Sequence, residues 1–101
     1  MNLRILADAE VEIEAARRYL NEQSIGLGGR FLGALADTLK QVSERPISFA
    51  KLETLPDHLP YRRALLATFR YAVVFEVGAE EIVVVAVAHT SREPNYWLGR
   101  H

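Results

Sequence analysis

The sequence predicts an α+β fold, with an N-terminal short strand and a helical hairpin packed on a three- to four-stranded antiparallel sheet. Two observations predict it. In the first half of the chain, apolar residues recur at spacings of three and four, which places them on one face of a helix. In the last third, apolar residues alternate with other residues or run without interruption, as they do in strands. The two regions therefore supply a helical layer and a sheet layer.

The first half of the chain is expected to form one strand and two helices. Residues 2–6 alternate polar and apolar side chains, as in a short strand. A helix is predicted over residues 8–23, with Asp8 as its N-cap. The core-facing residues of this helix are Ala9, Ile13, Ala16 and Leu20. Glycines then interrupt the pattern, and a second helix is predicted over residues 27–44, ended by Pro46.

The second half of the chain is expected to form a loop followed by strands. The predicted elements are a loop at 46–60 with a short extended piece at 49–52, strand periodicity over 61–69, 71–77 and 81–89, and a turn at 78–80. Residues 81–89 are apolar on both faces. This is typical of a central strand that helices cover on one side, and here the C-terminal tail is expected to cover the other.

The composition excludes several classes of protein. The chain has 101 residues, which fits a single domain over residues 1–101 and leaves no room for a deep, enclosed cofactor cavity. The formal net charge of -1 gives no basic field of the kind that coats nucleic acid. No cysteine is present, which excludes disulfides, thiolate zinc sites and cysteine nucleophiles and is typical of a cytoplasmic protein.

Neither a metal site nor a membrane segment is expected. The three histidines, His58, His89 and His101, are scattered without metal-ligand spacing. The longest apolar run, residues 82–88, is much shorter than a membrane span, and the N-terminus lacks the apolar core of a signal peptide. We therefore expect a cytoplasmic protein that carries no cofactor.

The C-terminal tail carries the residues most typical of a recognition surface. Arg92 and Arg100 bracket Tyr96 and Trp97, and aromatic side chains beside guanidinium groups are enriched where proteins bind their partners. Alternatively, Trp97, the only tryptophan, caps the core. His89, at the end of the last predicted strand, either acts as a general acid or base or caps the edge of the sheet.

The first helix carries a second apolar stripe. Val11, Ala15 and Tyr19 are displaced from the core-facing stripe by roughly a third to half a turn. Apolar residues on two faces of one helix indicate that the second face is buried against a partner, although single exposed apolar residues are also common. These three residues are the candidates for binding a partner protein.

With this order of elements, the chain resembles the RelE/ParE superfamily of toxins from bacterial type II toxin-antitoxin systems. The resemblance spans nearly the whole chain. Its segments are ADAE at 7–10, ARRYL at 16–20, GLG at 26–28, RF at 30–31, RP at 45–46, YAVVF at 71–75, VAVAH at 85–89, REPNYW at 92–97, and Arg100.

The resemblance implies one of two activities. Members like RelE cut messenger RNA on the ribosome with basic residues on the sheet and a C-terminal tyrosine, to which Tyr96 corresponds. Two arginines expected in that branch are replaced here by Ala72 and Thr90, and without them a developing phosphorane loses electrostatic stabilisation. Members like ParE poison DNA gyrase by binding, and the departures fit that branch.

The resemblance to members like ParE implies two protein partners. The expected target is DNA gyrase, with Arg92, Tyr96, Trp97 and Arg100 as the candidate target-binding residues. The expected neutralising partner is a small antitoxin whose C-terminal segment wraps the toxin and covers the second stripe of the first helix. DNA is expected to be contacted only through the antitoxin complex.

Two alternatives stay open at the level of the sequence. One is a ribosome-dependent ribonuclease that uses Tyr96, His89 and Arg92. The other is a degenerate, non-toxic homologue that retains only antitoxin binding and autoregulation. The replaced arginines favour a protein that is not an enzyme, without deciding the question.

Overall fold

The computed structural model describes residues 1–100 and contains four strands and two long helices. In chain order these are β1 (Asn2–Ile5), α1 (Ala7–Gln23), α2 (Leu27–Glu44), a 3₁₀ turn (Pro46–Ser48), β2 (Tyr61–Leu65), β3 (Tyr71–Val77) and β4 (Glu81–His89). The predicted α+β class is confirmed. His101 lies outside the described residues.

The sheet is mixed rather than purely antiparallel. Its strand order is β1-β4-β3-β2, and β3 runs antiparallel to both β2 and β4. The first strand pairs in parallel with β4, from Asn2 opposite Glu81 to Ile5 opposite Val84. The expectation of an all-antiparallel sheet is therefore wrong for β1. Side-chain alternation is the same in both strand directions, so periodicity reports a strand without reporting its direction.

The helical hairpin closes through a tight, glycine-dependent contact. Gly26 has a φ of 90°, in the left-handed region, and the Asn21 Oδ1 atom accepts hydrogen bonds from the backbone N–H groups of Gly26 and Gly28. A Cβ atom at Gly28 would lie 2.6 Å from the backbone oxygen of Arg17, so only glycine lets the two helices approach this closely. The bounds predicted for α2 are confirmed.

The start of α1 differs from the prediction. Leu6, in an extended conformation, is the N-cap, and it makes no side-chain capping bond. Asp8 instead lies in the first turn, where the helix dipole favours a negative charge. The predicted cap is therefore wrong by two residues, because the chain enters α1 directly from β1 through the bond between Leu6 N–H and the Val84 oxygen.

Apolar side chains bury both faces of β4. The larger core lies between the helices and the sheet and is centred on Phe31, Phe75 and Val84. A second cluster lies on the opposite face, where the tail covers the sheet. Its buried members are Val74, Val83, Val85, Ala86 and Trp97. The prediction that β4 is central and covered by the tail is confirmed.

The segment between α2 and β3 is only partly as predicted. Lys51 forms an isolated bridge with Arg62, which confirms a short extended piece near residues 49–52. The alternation predicted for 61–69 holds only to Leu65, because the chain then turns, with Thr68 in the left-handed region at a φ of 66°. Among residues 1–100, no helix is long and apolar enough to cross a membrane.

Candidate functional site

Two side chains of the C-terminal tail, residues 90–100, bind one carboxylate on α1. Glu12 accepts a hydrogen bond from the Tyr96 hydroxyl and another from the backbone N–H of Val87, at 3.0 Å. It also accepts from Arg100, whose Nη1 and Nη2 atoms lie 2.9 Å and 3.1 Å from the two carboxylate oxygens. Only 15% of the Glu12 side chain is exposed. We call Glu12, Val87, Tyr96 and Arg100 the Glu12 clamp.

The clamp lies where β4 has lost its strand partner. The first strand ends at Ile5, opposite Val84, so the following part of β4 has no strand on this side. Arg100 Nη1 donates to the Val85 oxygen at 3.0 Å, and Glu12 accepts from the backbone N–H of Val87, two residues further along β4. Side chains therefore satisfy backbone groups that a longer β1 would have paired.

Two guanidinium groups pack on the Tyr96 ring. The Arg92 Cζ atom lies 3.9 Å from the ring centroid, and the Arg100 Cζ atom lies 5.0 Å from it. Both distances are within the range of cation–π attraction. Arg100 is largely buried by its bond to Glu12, whereas Arg92 is exposed. The ring therefore supports the exposed Arg92 guanidinium from one side.

The clamp sets the protonation of Tyr96. Burial, together with the hydrogen bond to Glu12 and its negative charge, raises the pKa of Tyr96 to about 12, against a smaller opposing effect of the two arginines. The hydrogen bond to Glu12 likewise raises the pKa of Arg100. At neutral pH the Tyr96 hydroxyl is therefore a proton donor to Glu12, and it is a poor candidate for a general base.

Trp97 anchors the tail instead of lying on the surface. Its side chain is only 4% exposed and packs on the second cluster, with its ring centroid 4.7 Å from that of Tyr61. Thr54 Oγ1 donates to Asn95 Oδ1 at 3.1 Å and fastens the same part of the tail. Of the four predicted target-binding residues, Arg92 is therefore the exposed one and Trp97 the buried one.

His89 is the last residue of β4 and lies beside the tail. Its Nδ1 atom accepts from the backbone N–H of Ser91 at 3.1 Å, and its ring meets the edge of Tyr71 at 5.3 Å between centroids. His89, Arg92 and Tyr96 line one cavity of about 210 Å³, so the three residues named for a ribonuclease do come together. In the described part of the chain, no group of three or more His, Asp or Glu side chains could hold a metal ion.

The second stripe of α1 is exposed along its length. Val11 is 69% exposed and Tyr19 is 58% exposed, with Ala15 exposed between them. Beside the stripe, Glu14 accepts from Arg17 at 2.7 Å and pairs with Arg18 at 3.4 Å. These bonds, chiefly the one to Arg17, hold the pKa of the Glu14 carboxyl at about 2. The stripe is thus an apolar strip with a charged border.

The stripe and the tail meet in a notch between α1 and the end of the sheet. Ala15 and Tyr19 line a cavity of about 220 Å³ together with Tyr71, His89 and Arg92. No carboxylate within residues 1–100 forms an ion pair with Arg92. A protein that covers the stripe and extends past Tyr19 therefore reaches a positive charge that is available for pairing.

Residues 3–94 match the sequence model of the family described as the ParE toxin of the type II toxin-antitoxin system parDE. The match covers most of the chain. The chain belongs to the ParE toxin family. The fold agrees, because a solved chain described as the chromosomal ParDE toxin-antitoxin system from P. aeruginosa superposes with a TM-score of 0.66 at 17% identity. That superposition covers 88% of this chain and 95% of the other. No curated protein sequence matches this chain.

Glu12 was not among the site residues predicted from the sequence of this ParE family chain. The signal that could have found it is its position within the core-facing stripe, three residues after Ala9 and four before Ala16. A charged residue at a buried position needs a partner. That partner, Arg100, is 88 residues away along the chain, and one sequence gives no indication that the two meet.

Proposed function

We propose that this chain is a toxin that acts in the cytoplasm by binding DNA gyrase through the exposed side of its tail, and that a cognate antitoxin neutralises it. The observation that supports binding rather than catalysis is the Glu12 clamp. It uses the Tyr96 hydroxyl as a hydrogen-bond donor and leaves Arg92 as an exposed cation on a rigid ring. Rigid aromatic and arginine side chains are the usual anchors of protein interfaces.

The composition of the cavity beside the tail argues against RNA cleavage. Its lining includes Ala72 and Thr90, at the two positions where the resemblance to ribonuclease members implies arginines. The remaining candidates are His89, the arginines Arg63 and Arg92, and Tyr96, whose pKa is raised to about 12. A phosphoryl transition state would therefore lack two of the expected cations, and Tyr96 would be a poor base for it.

Arg92 supplies the first test of target binding. Inducible expression of the wild-type chain is expected to arrest growth and to produce double-strand DNA breaks. Replacing Arg92 by alanine removes the exposed charge while the Glu12 clamp remains, so about tenfold more protein should be needed for the same arrest. Arg30→Ala removes the same charge from an exposed position on α2 and is expected to behave like wild type.

The result that contradicts this assignment is equal potency of wild type and Arg92→Ala at matched protein levels. Arrest without DNA breaks, accompanied by cleaved messenger RNA, would instead favour the ribonuclease alternative. In that case Tyr96→Phe should abolish cleavage. A chain that is harmless when expressed alone would favour the degenerate homologue.

We propose that the antitoxin covers the exposed stripe of α1 and extends into the notch, where an acidic side chain pairs with Arg92. The apolar character of Val11, Ala15 and Tyr19 suits one face of an amphipathic segment. An antitoxin placed in this way also covers the cation proposed to contact gyrase, so the two partners compete. DNA is then contacted only through the antitoxin.

The stripe predicts variants that separate toxicity from neutralisation. Val11→Glu and Val11→Lys place a charge on the stripe away from the notch that Arg92 lines, so both variants should remain toxic. The product of the neighbouring reading frame, co-expressed as the antitoxin, should protect against them at least about tenfold less well than against wild type. Ile25→Glu, at a residue that is 95% exposed in the turn between the helices, is the matched control and should still be neutralised. Full neutralisation of both stripe variants would show that the antitoxin binds elsewhere.

A further inference from the structure

We propose that Glu12 is the positioning residue of the target-binding surface, through which α1 fixes the direction of Arg92. This inference rests on the proposed function, in which Arg92 contacts the target. It adds a residue that never touches the target itself. Two contacts connect Glu12 with Arg92. Glu12 accepts a hydrogen bond from the Tyr96 hydroxyl, and the Arg92 guanidinium packs on the Tyr96 ring.

The Glu12 carboxylate is fully engaged. One oxygen accepts from Val87 N–H and Arg100 Nη1, and the other accepts from Tyr96 and Arg100 Nη2. Hydrogen bonds to an ionised acceptor are shorter and about twice as strong as neutral ones. The Val87 bond fixes the carboxylate to the sheet, so the Tyr96 hydroxyl is held relative to β4 and not only relative to α1.

The contacts that hold the tail backbone are different from those that hold the Tyr96 ring. Trp97 is buried in the second cluster, and Asn95 is fastened to Thr54. Neither contact sets the rotation of the neighbouring tyrosine. Glu12 is the residue that fixes its hydroxyl end among the described residues.

The position of Arg92 depends in turn on that ring. Within the described residues its guanidinium makes no ion pair, and it packs on the face of Tyr96, with Cζ 3.9 Å from the ring centroid. If the hydroxyl is released, the ring can rotate and the platform under Arg92 is lost. The tail should nevertheless stay docked, because Trp97 remains buried.

Glu12→Gln tests the proposal with two independent readouts. The amide keeps the shape of the carboxylate but loses its charge and one acceptor atom, so the charge-assisted bonds that Tyr96 and Arg100 Nη2 donate to one Glu12 oxygen are both lost. In NMR spectra, the ring-current shift of the Arg92 side-chain protons should move toward its value in a disordered chain. The fluorescence of Trp97, the only tryptophan, should stay that of a buried indole.

The second readout is binding to purified DNA gyrase. Glu12→Gln should weaken binding about tenfold. Tyr96→Phe, which removes the hydroxyl at the other end of the bond, should have a similar effect. The double variant should be no weaker than either single variant, because both break the same contact. Glu10→Gln, an exposed glutamate on the same helix, is the control and should change neither signal.

Unchanged Arg92 resonances in Glu12→Gln would overturn the proposal. So would unchanged target binding in a variant whose Arg92 resonances have moved. A loss of binding accompanied by a solvent-exposed Trp97 signal would assign Glu12 to the stability of the tail alone and would also overturn it. If the wild-type chain does not bind gyrase, the proposed target is wrong, and the NMR comparison still decides whether Glu12 positions Arg92.

Discussion

Replacing Trp97 by alanine is expected to lower the free energy of unfolding by about 3–5 kcal/mol. The indole fills the space between the tail and the sheet, where it packs with Val74, Val83, Val85 and Ala86. Removing it leaves a cavity on that face and also detaches the segment that carries Tyr96 and Arg100. The Glu12 clamp should fail with it, because its two tail residues flank Trp97.

Urea unfolding followed by circular dichroism measures this loss. A natural domain is typically stable by about 5–15 kcal/mol, so the variant should unfold at a much lower urea concentration. Leu98→Ala, at a neighbouring residue that is exposed, is the matched control and should cost less than about 1 kcal/mol. A Trp97→Ala chain with wild-type stability would mean that the tail does not cover the sheet.

The second large effect is expected at the crossing of the two helices. Gly28→Ala places a methyl group 2.6 Å from the backbone oxygen of Arg17, closer than any unstrained contact. A backbone atom cannot move aside as a flexible side chain does, so the helices must separate. Overpacking of this kind costs about 1–3 kcal/mol.

Gly29 offers a control at the adjacent position. A Cβ atom there would meet nothing within 4 Å, so Gly29→Ala should be neutral or stabilising by about 0.5 kcal/mol through the intrinsic helix propensity of alanine. The midpoint of thermal unfolding should therefore fall in Gly28→Ala and stay the same or rise in Gly29→Ala. Equal shifts would contradict the close approach of α1 and α2 at Gly28.

The layers of this fold could be predicted from the sequence because periodicity depends on local geometry. The apolar spacing of α2 and the unbroken apolar run of β4 each require burial on defined faces, and the structure places them accordingly. The direction of β1 could not be predicted in this way. It depends on which strand edge is free after the hairpin crosses the sheet, which is a property of the whole chain.

The candidate site could be predicted only in part, for a related reason. The mixture of arginine and aromatic residues in the tail is visible in the sequence, and the structure places Arg92 and Arg100 against the ring of Tyr96. The sequence does not show which of the tail side chains is buried, which is paired with a carboxylate and which is exposed. Arg100 pairs with Glu12, and Trp97 is buried against Val74 and Val83, and these partners are distant from the tail in sequence.

The charge distribution connects the fold with the proposed function. Overall the chain is almost neutral, at a formal net charge of -1, so no general field draws it to nucleic acid. Several arginines are bound to carboxylates, as Arg4 is to Glu81 and Arg100 is to Glu12. Arg92 is not among these pairs, which makes it available to a protein partner.

The most direct measurement adds the purified chain to DNA gyrase and circular plasmid, and follows linear DNA released after denaturation. Binding through the tail predicts linear DNA in proportion to the wild-type chain, with about tenfold more Arg92→Ala protein needed for the same yield. It also predicts that messenger RNA stays intact on ribosomes incubated with the same protein. Gyrase that is unaffected by micromolar chain, together with messenger RNA cut in a ribosome-dependent way, would contradict the account.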